Sequence, residues 1–410
     1  MKLKAFNKKK DYKKLQRRNR SKAAYIMSVL SFCVLTIVIV YILSNSFAFK
    51  SKISYALIDT TTYIEAPTLY NVLLGNNTLL TTKPSFTEVS SNTDTGLYEG
   101  TGDLADEYGV TYYFRGTKEL LNNNVLFAGF QWKIIRTNGD GSIRMIYNGT
   151  EAQYNSNKTV NSLESSTCQA SSNPATGCLT SIGVSAFNPA RTYNSYVGYM
   201  YGNTLATNYV AAHANTTNST AKNIIDSWYS TNIAAKGIEV TSKIANNIFC
   251  NDRTITSPSG VPDSNYTNEG YSNKYTVYAA NTRLFISNPP SPTLKCTNTN
   301  DQFTLGTSSN GNKKLAYPVG LITADEMMLA GTTWSPGSTT FYLYTAQEYW
   351  TMTPFRFYGT AANVWRIYAA GGVSSNSVDI VYGIRPVINL SASVTTSFGD
   401  GSATNPYRIN

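Results

Sequence analysis

The chain has 410 residues and a net charge of +10, with only 14% charged residues against 12% aromatic. Residues 1–22 hold eleven basic residues and one acidic residue, which accounts for the whole excess and leaves the rest of the chain balanced. That distribution argues against a nucleic-acid partner, the single histidine excludes multi-histidine metal centres, and the aromatic content excludes a disordered chain.

The N-terminal pattern predicts a basic cytoplasmic tail over 1–22, followed by a transmembrane anchor over 23–49, a stretch without one charged residue. A bilayer core needs roughly 20 apolar residues in helix, and the run from Ala23 to Leu43 supplies them. A basic flank stays on the cytoplasmic side, where it would rest on anionic lipid headgroups. The prediction is a single-pass protein of the cell membrane, with its C-terminal domain outside the cell. Ser46-Phe47-Ala48 leaves open a cleaved signal ending at Ala48.

A Ser/Thr/Asn-rich stalk is predicted over 50–97, with a short helix from Ala66 to Leu74, and a folded domain over 98–410. Tyr112 to Arg115 reads as a strand. Phe127 to Arg136 and Ser142 to Tyr147 flank the turn signal Asn138-Gly139-Asp140-Gly141, a β-hairpin. Residues 149–218 lack apolar periodicity and read as long loops. Ser219 or Thr220 caps a helix carrying Ile224, Ile225, Trp228 and Tyr229 on one face. A proline-rich loop follows Asn251. Thr323 and Glu326 form a capping box for a short helix that Gly331 ends. Strands and turns return from Glu348 onward.

Four of the five cysteines lie outside the apolar segment, an even number that suits a disulfide-permissive compartment. Cys168 with Cys178 is the natural local pairing, which leaves Cys250 with Cys296. A zinc site lacks any Cys-x-x-Cys or paired histidine.

Three stretches in order resemble a known pattern. Leu321-Ile322-Thr323-Ala324-Asp325-Glu326 is similar to a helix start of the formylglycine-generating-enzyme group. Tyr349-Trp350-Thr351-Met352-Thr353-Pro354 and Tyr382-Gly383-Ile384-Arg385-Pro386-Val387 resemble strands of the related Fibrobacter major-paralogue surface proteins. Upstream, Phe130 to Ile135 around Trp132, and the Trp228 helix, resemble a related bacterial surface-protein domain. The resemblance implies an α+β, C-type-lectin-like domain of two small antiparallel sheets, one or two short helices and long loops, with the Trp132 strand near the Arg385 strand. Lectin calcium motifs and the enzyme's paired cysteines are absent from this sequence, so neither a metal nor a cofactor carries over.

The residues that carry chemistry elsewhere have plainer readings here. His213 sits in a polar stretch without a nucleophile motif and reads as a loop residue. Asp325 and Glu326 at a helix start serve the cap and dipole, with a glycosidase pair as the sharper alternative. Asp252-Arg253 reads as an ion pair or turn. Trp132, Trp350 and Trp365 read as core, with a sugar platform as the alternative, and Arg385 as a structural hydrogen-bond donor. The Asn138–Ser142 turn lacks the ligand count of a calcium loop. The function expected is non-enzymatic binding of a glycan or protein through the loops 149–218 and 254–300. A carboxylate-dependent hydrolase and a structural envelope component are the alternatives.

Overall fold

Six strands in the first part of the chain build the larger sheet: β1 (Leu79–Leu80), β2 (Gly96–Gly100), β3 (Thr111–Arg115), β4 (Asn124–Phe127), β5 (Phe130–Thr137) and β6 (Ile143–Thr150). In this computed structural model the described residues are 20, 22, 25–31, 66–161, 163, 178–257 and 264–409. The expected hairpin is β5–β6. Asn138 donates its backbone N–H to Ser142 O at 2.8 Å, and Gly141 takes φ +82° to close the turn. β4 and β3 share one edge of β5 and β6 takes the other. Strand Val387–Leu390 continues the sheet beyond β6, and Tyr407–Arg408 pairs with the outer edge of β4. The Trp132 strand and the chain just after Arg385 therefore lie in one sheet, with β6 between them.

A six-stranded sheet is centred on Tyr349–Tyr358, flanked by Ala361–Ile367 and then Val373–Ser377 on one side and by Val381–Gly383 and then Val184–Ala186 on the other, with Thr276–Val277 also pairing with the central strand. Helix Thr220–Asn232, capped by Ser219, turns Ile225 and Tyr229 into the core. Its Trp228 packs against Phe130, Trp132 and Tyr147, with ring centroids 5.2, 6.3 and 5.5 Å away. Helix Ala324–Ala330 is buried along its whole length, and one continuous apolar core joins both sheets to it. It ends at Gly331, where φ is +118° and an added Cβ would collide with Ser90.

Three expectations need correction. First, no helix among the described residues is long and apolar enough to cross a membrane. Of the predicted span 23–49, the described residues are 25–31, and the rest of the span lies outside the described residues. Second, the fold is α+β with mixed sheets, not two small antiparallel ones. β1–β2, β4 with Tyr407–Arg408, and Tyr349 with Gly383 are parallel pairings. Third, residues 66–97 belong to the folded unit and not to a stalk. Helix Leu69–Asn76, capped by Thr68, buries Leu69 and Leu73 in the main core, and Leu69 N–H donates to Val394 O at 2.7 Å. An antiparallel bridge joins Thr68 to Thr395.

Cys250 and Cys296 form the expected disulfide. Cys178 is also disulfide-bonded, while Cys168 lies outside the described residues.

Candidate functional site

The capping box at Thr323 sets the geometry of a buried charge cluster. Thr323 Oγ1 accepts from Glu326 N–H, and Glu326 Oε2 accepts from Thr323 N–H. That return leaves Glu326 Oε1 facing two guanidinium groups, 2.6 Å from Arg144 Nε and 3.0 Å from Arg136 Nε. Arg136 also donates to Asp106 Oδ2 at 2.9 Å. Burial alone would raise the Glu326 carboxyl, but Arg144 and Arg136 outweigh it and hold the pKa below the ordinary value. The neighbouring Asp325 points the other way and takes a two-point grip from Arg283, 2.7 Å at each oxygen, while Arg283 donates to Asp252 at 2.6 Å. A cavity of about 30 Å3 among these groups has room for water and little else.

The adjacent carboxylates are thus committed to separate arginines. A general acid needs a raised pKa, and the shift at Glu326 runs the opposite way. Asp252 and Arg253 do not pair with each other: Asp252 serves Arg283, and Arg253 binds Asp301 at 2.6 Å with both groups buried.

From this cluster a wall of chain is hung. Ser291 N–H donates to Arg283 O, Thr293 N–H donates to Asp325 Oδ1, Leu294 N–H donates to Asp103 O, and Lys295 Nζ donates to Asp106 O. The Cys250–Cys296 disulfide closes the far end. The wall, Pro289-Pro290-Ser291-Pro292, faces β1 and the segment 81–104 across a cleft of about 840 Å3. Phe86, Tyr98 and Tyr113 line its base but are 8%, 4% and 2% exposed. What the cleft offers a ligand is aliphatic: Leu79 is 47% exposed, with Leu80, Pro84, Leu104 and the prolines around it. Lys83, Glu99 and Asp103 stand on its rim.

The other candidate residues sit elsewhere. Trp132, Trp350 and Trp365 are fully buried, so none offers a sugar platform. Trp132 Nε1 donates to Phe127 O and Trp350 Nε1 to Ser185 O. Arg385, between Gly383 and Pro386, is buried and donates to the carbonyls of Tyr147, Thr180 and Leu343 and to Asn148 Oδ1, clamping chain segments together over the Tyr349 ring. His213 lies in a turn, as expected, but is fully buried. It caps the short helix Tyr209–Ala212, stacks on Tyr209 at 4.2 Å and bonds Gly270 O through Nε2. Burial first, and the charge of Arg253 second, push its pKa well down and keep the ring neutral. Of the two loops expected to bind, 254–300 supplies a wall of the cleft and 149–218 does not. The proline-rich loop after Asn251 marked that wall in the sequence, whereas the opposing strand and segment 81–97 were hidden inside the expected stalk.

No protein-family model, no curated protein and no solved structure matches this chain.

Proposed function

We propose that the folded unit is a non-catalytic binding module that holds an extended protein segment in the cleft between β1 and Pro289–Pro292. The observation that carries this reading is the placement of the outermost strand of the eight-stranded sheet, β1, in the cleft, with leucines and prolines around it. Extended peptides add to sheet edges through main-chain bonds, while pockets beside the edge select alternate side chains. The wall is preorganised by the disulfide and the Arg283 contacts, which lowers the ordering cost of binding.

A protein ligand suits the surface better than a glycan. Sugar recognition favours open aromatic faces, and the rings in the cleft are covered. The partly exposed cluster of Tyr266, Tyr275 and Tyr358 lies elsewhere, and its rings tilt by 33° to 57° from one another, so it offers no flat face. The hydrolase alternative loses its carboxylate pair to the arginines.

Panning a displayed library of random extended peptides against the full chain, with a glycan array in parallel, tests the reading. Enrichment of peptides with alternating apolar residues, abolished by Leu79→Glu, is the expected result. Glycan capture lost in the same variant, or peptide binding that Leu79→Glu leaves intact, would sink it.

A further inference from the structure

Two lysines are buried among the described residues, Lys133 and Lys222. Lys222 has a carboxylate partner in Asp226. Lys133, 2% exposed, has none, and its Nζ donates only to Asn124 Oδ1, at 2.9 Å. Asn124 is fully buried and stands directly opposite Lys133 in the β4–β5 register. An ammonium held away from water by a single neutral partner is costly.

We propose that Lys133 and Asn124 react with each other to form an intramolecular isopeptide bond, releasing ammonia. The amine already touches the carboxamide, so a small swing over the carbonyl face brings Nζ into the near-attack range of roughly 3–3.5 Å from Cγ. Neutral Lys133 Nζ attacks Asn124 Cγ and the Nζ–Cγ bond forms. One proton passes from Nζ to Nδ2, the Cγ–Nδ2 bond breaks, and ammonia leaves. The product is a secondary amide, and no oxidant or co-reactant is consumed.

The surroundings favour the attack and hold the leaving nitrogen. Burial, reinforced by the charges of Arg385 and Lys118, lowers the Lys133 pKa to about 7, so the nucleophilic amine is abundant near neutrality. Gly401 O accepts from Asn124 Nδ2 at 2.8 Å and holds the nitrogen that departs. Well-oriented intramolecular pairs reach effective concentrations of roughly 10⁵ M and more once the reacting atoms are in near-attack geometry. No carboxylate bonds either side chain among the described residues, so the reaction proceeds without acid assistance and is slow beside folding. The cross-link replaces a buried cation with a neutral amide.

Mass spectrometry of the full chain tests the proposal, after folded incubation at mildly alkaline pH and then reduction and denaturation. The expected product is lighter than the sequence by one ammonia, resists trypsin after Lys133, and gives no backbone fragments between residues 124 and 133. A sample incubated unfolded, and the variant Lys133→Met, keep the full mass. A succinimide at an Asn-Gly step has the same mass but opens in alkali and leaves Lys133 cleavable. That result, or an unchanged mass with full cleavage after Lys133, overturns the proposal.

Discussion

The backbone N–H of Thr293 donates to Asp325 Oδ1 at 3.0 Å, the same oxygen that Arg283 Nε grips at 2.7 Å. One buried carboxylate thereby fixes both the proline wall of the cleft and the arginine behind it, so wall position and core stability are linked.

Asp325→Asn removes the charge while keeping the shape. Arg283 then faces Asp252 alone and Thr293 keeps a weaker acceptor. Breaking a buried pair from one side costs about 3–5 kcal/mol. Urea denaturation should show a loss in that range, and proteolysis should increase within 283–296 before the rest of the fold opens.

Glu326→Gln leaves Arg136 and Arg144 buried opposite a neutral group, with a comparable loss of about 3–5 kcal/mol near neutral pH. The sign of the pH dependence follows from the lowered pKa. The folded state holds this proton less tightly than the unfolded state, whose pKa is near 4.5. The contribution of Glu326 is therefore complete above pH 4.5 and lost as pH falls toward the lower folded value. Denaturation midpoints from pH 7 down to 3 should fall less steeply in the variant than in the parent. Parallel curves would refute the linkage.

The Cys250–Cys296 bond closes a loop with a sequence separation of 46. Chain entropy assigns such a loop about 4 kcal/mol. Cys250→Ser with Cys296→Ser should lower stability by up to that amount and weaken binding in the cleft, because Cys296 ends the segment that carries the prolines. Calorimetry and the peptide-binding assay measure the two effects separately.

Lys133 gives a pH signature of the opposite sign wherever its amine is free. Its folded pKa of about 7 lies below the ordinary 10.5, so the unfolded chain binds more protons between those values. Stability then rises with pH across the window, by on the order of 3–5 kcal/mol if the whole shift is realised. Chemical denaturation from pH 6 to about 9, below the tyrosine range, should show this rise in freshly folded protein. Lys133→Met should flatten it, and so should the cross-linked form.

Local signals carried well from sequence to structure. The Asn138–Ser142 turn, the Ser219 cap, the capping box at Thr323 and the Cys250–Cys296 pairing each depend on residues close together or few in number. What stayed hidden depends on distance along the chain. Arg136 and Glu326 are 190 positions apart, and neither has a local feature naming the other. Residues 66–97 passed for a stalk because their apolar residues are sparse. Leu69 and Leu73 are buried by chain that arrives much later, around Val394. His213 lies in a stretch with no apolar period, yet it is covered by Tyr209 and the Gly270 loop. The cleft was invisible for the same reason: its two sides are separated by nearly two hundred residues.

The closure of the larger sheet by Tyr407–Arg408 has a bearing on biosynthesis. β4 is an interior strand only once those two residues have joined it in parallel. Until then its outer edge, the one facing away from β5 and Lys133, is an open template for other chains. A polypeptide emerging from the ribosome cannot complete this domain by halves. It has to be kept apart from its neighbours until Tyr407 and Arg408 have been made, and a variant lacking that pairing should turn a well-behaved protein into an aggregating one.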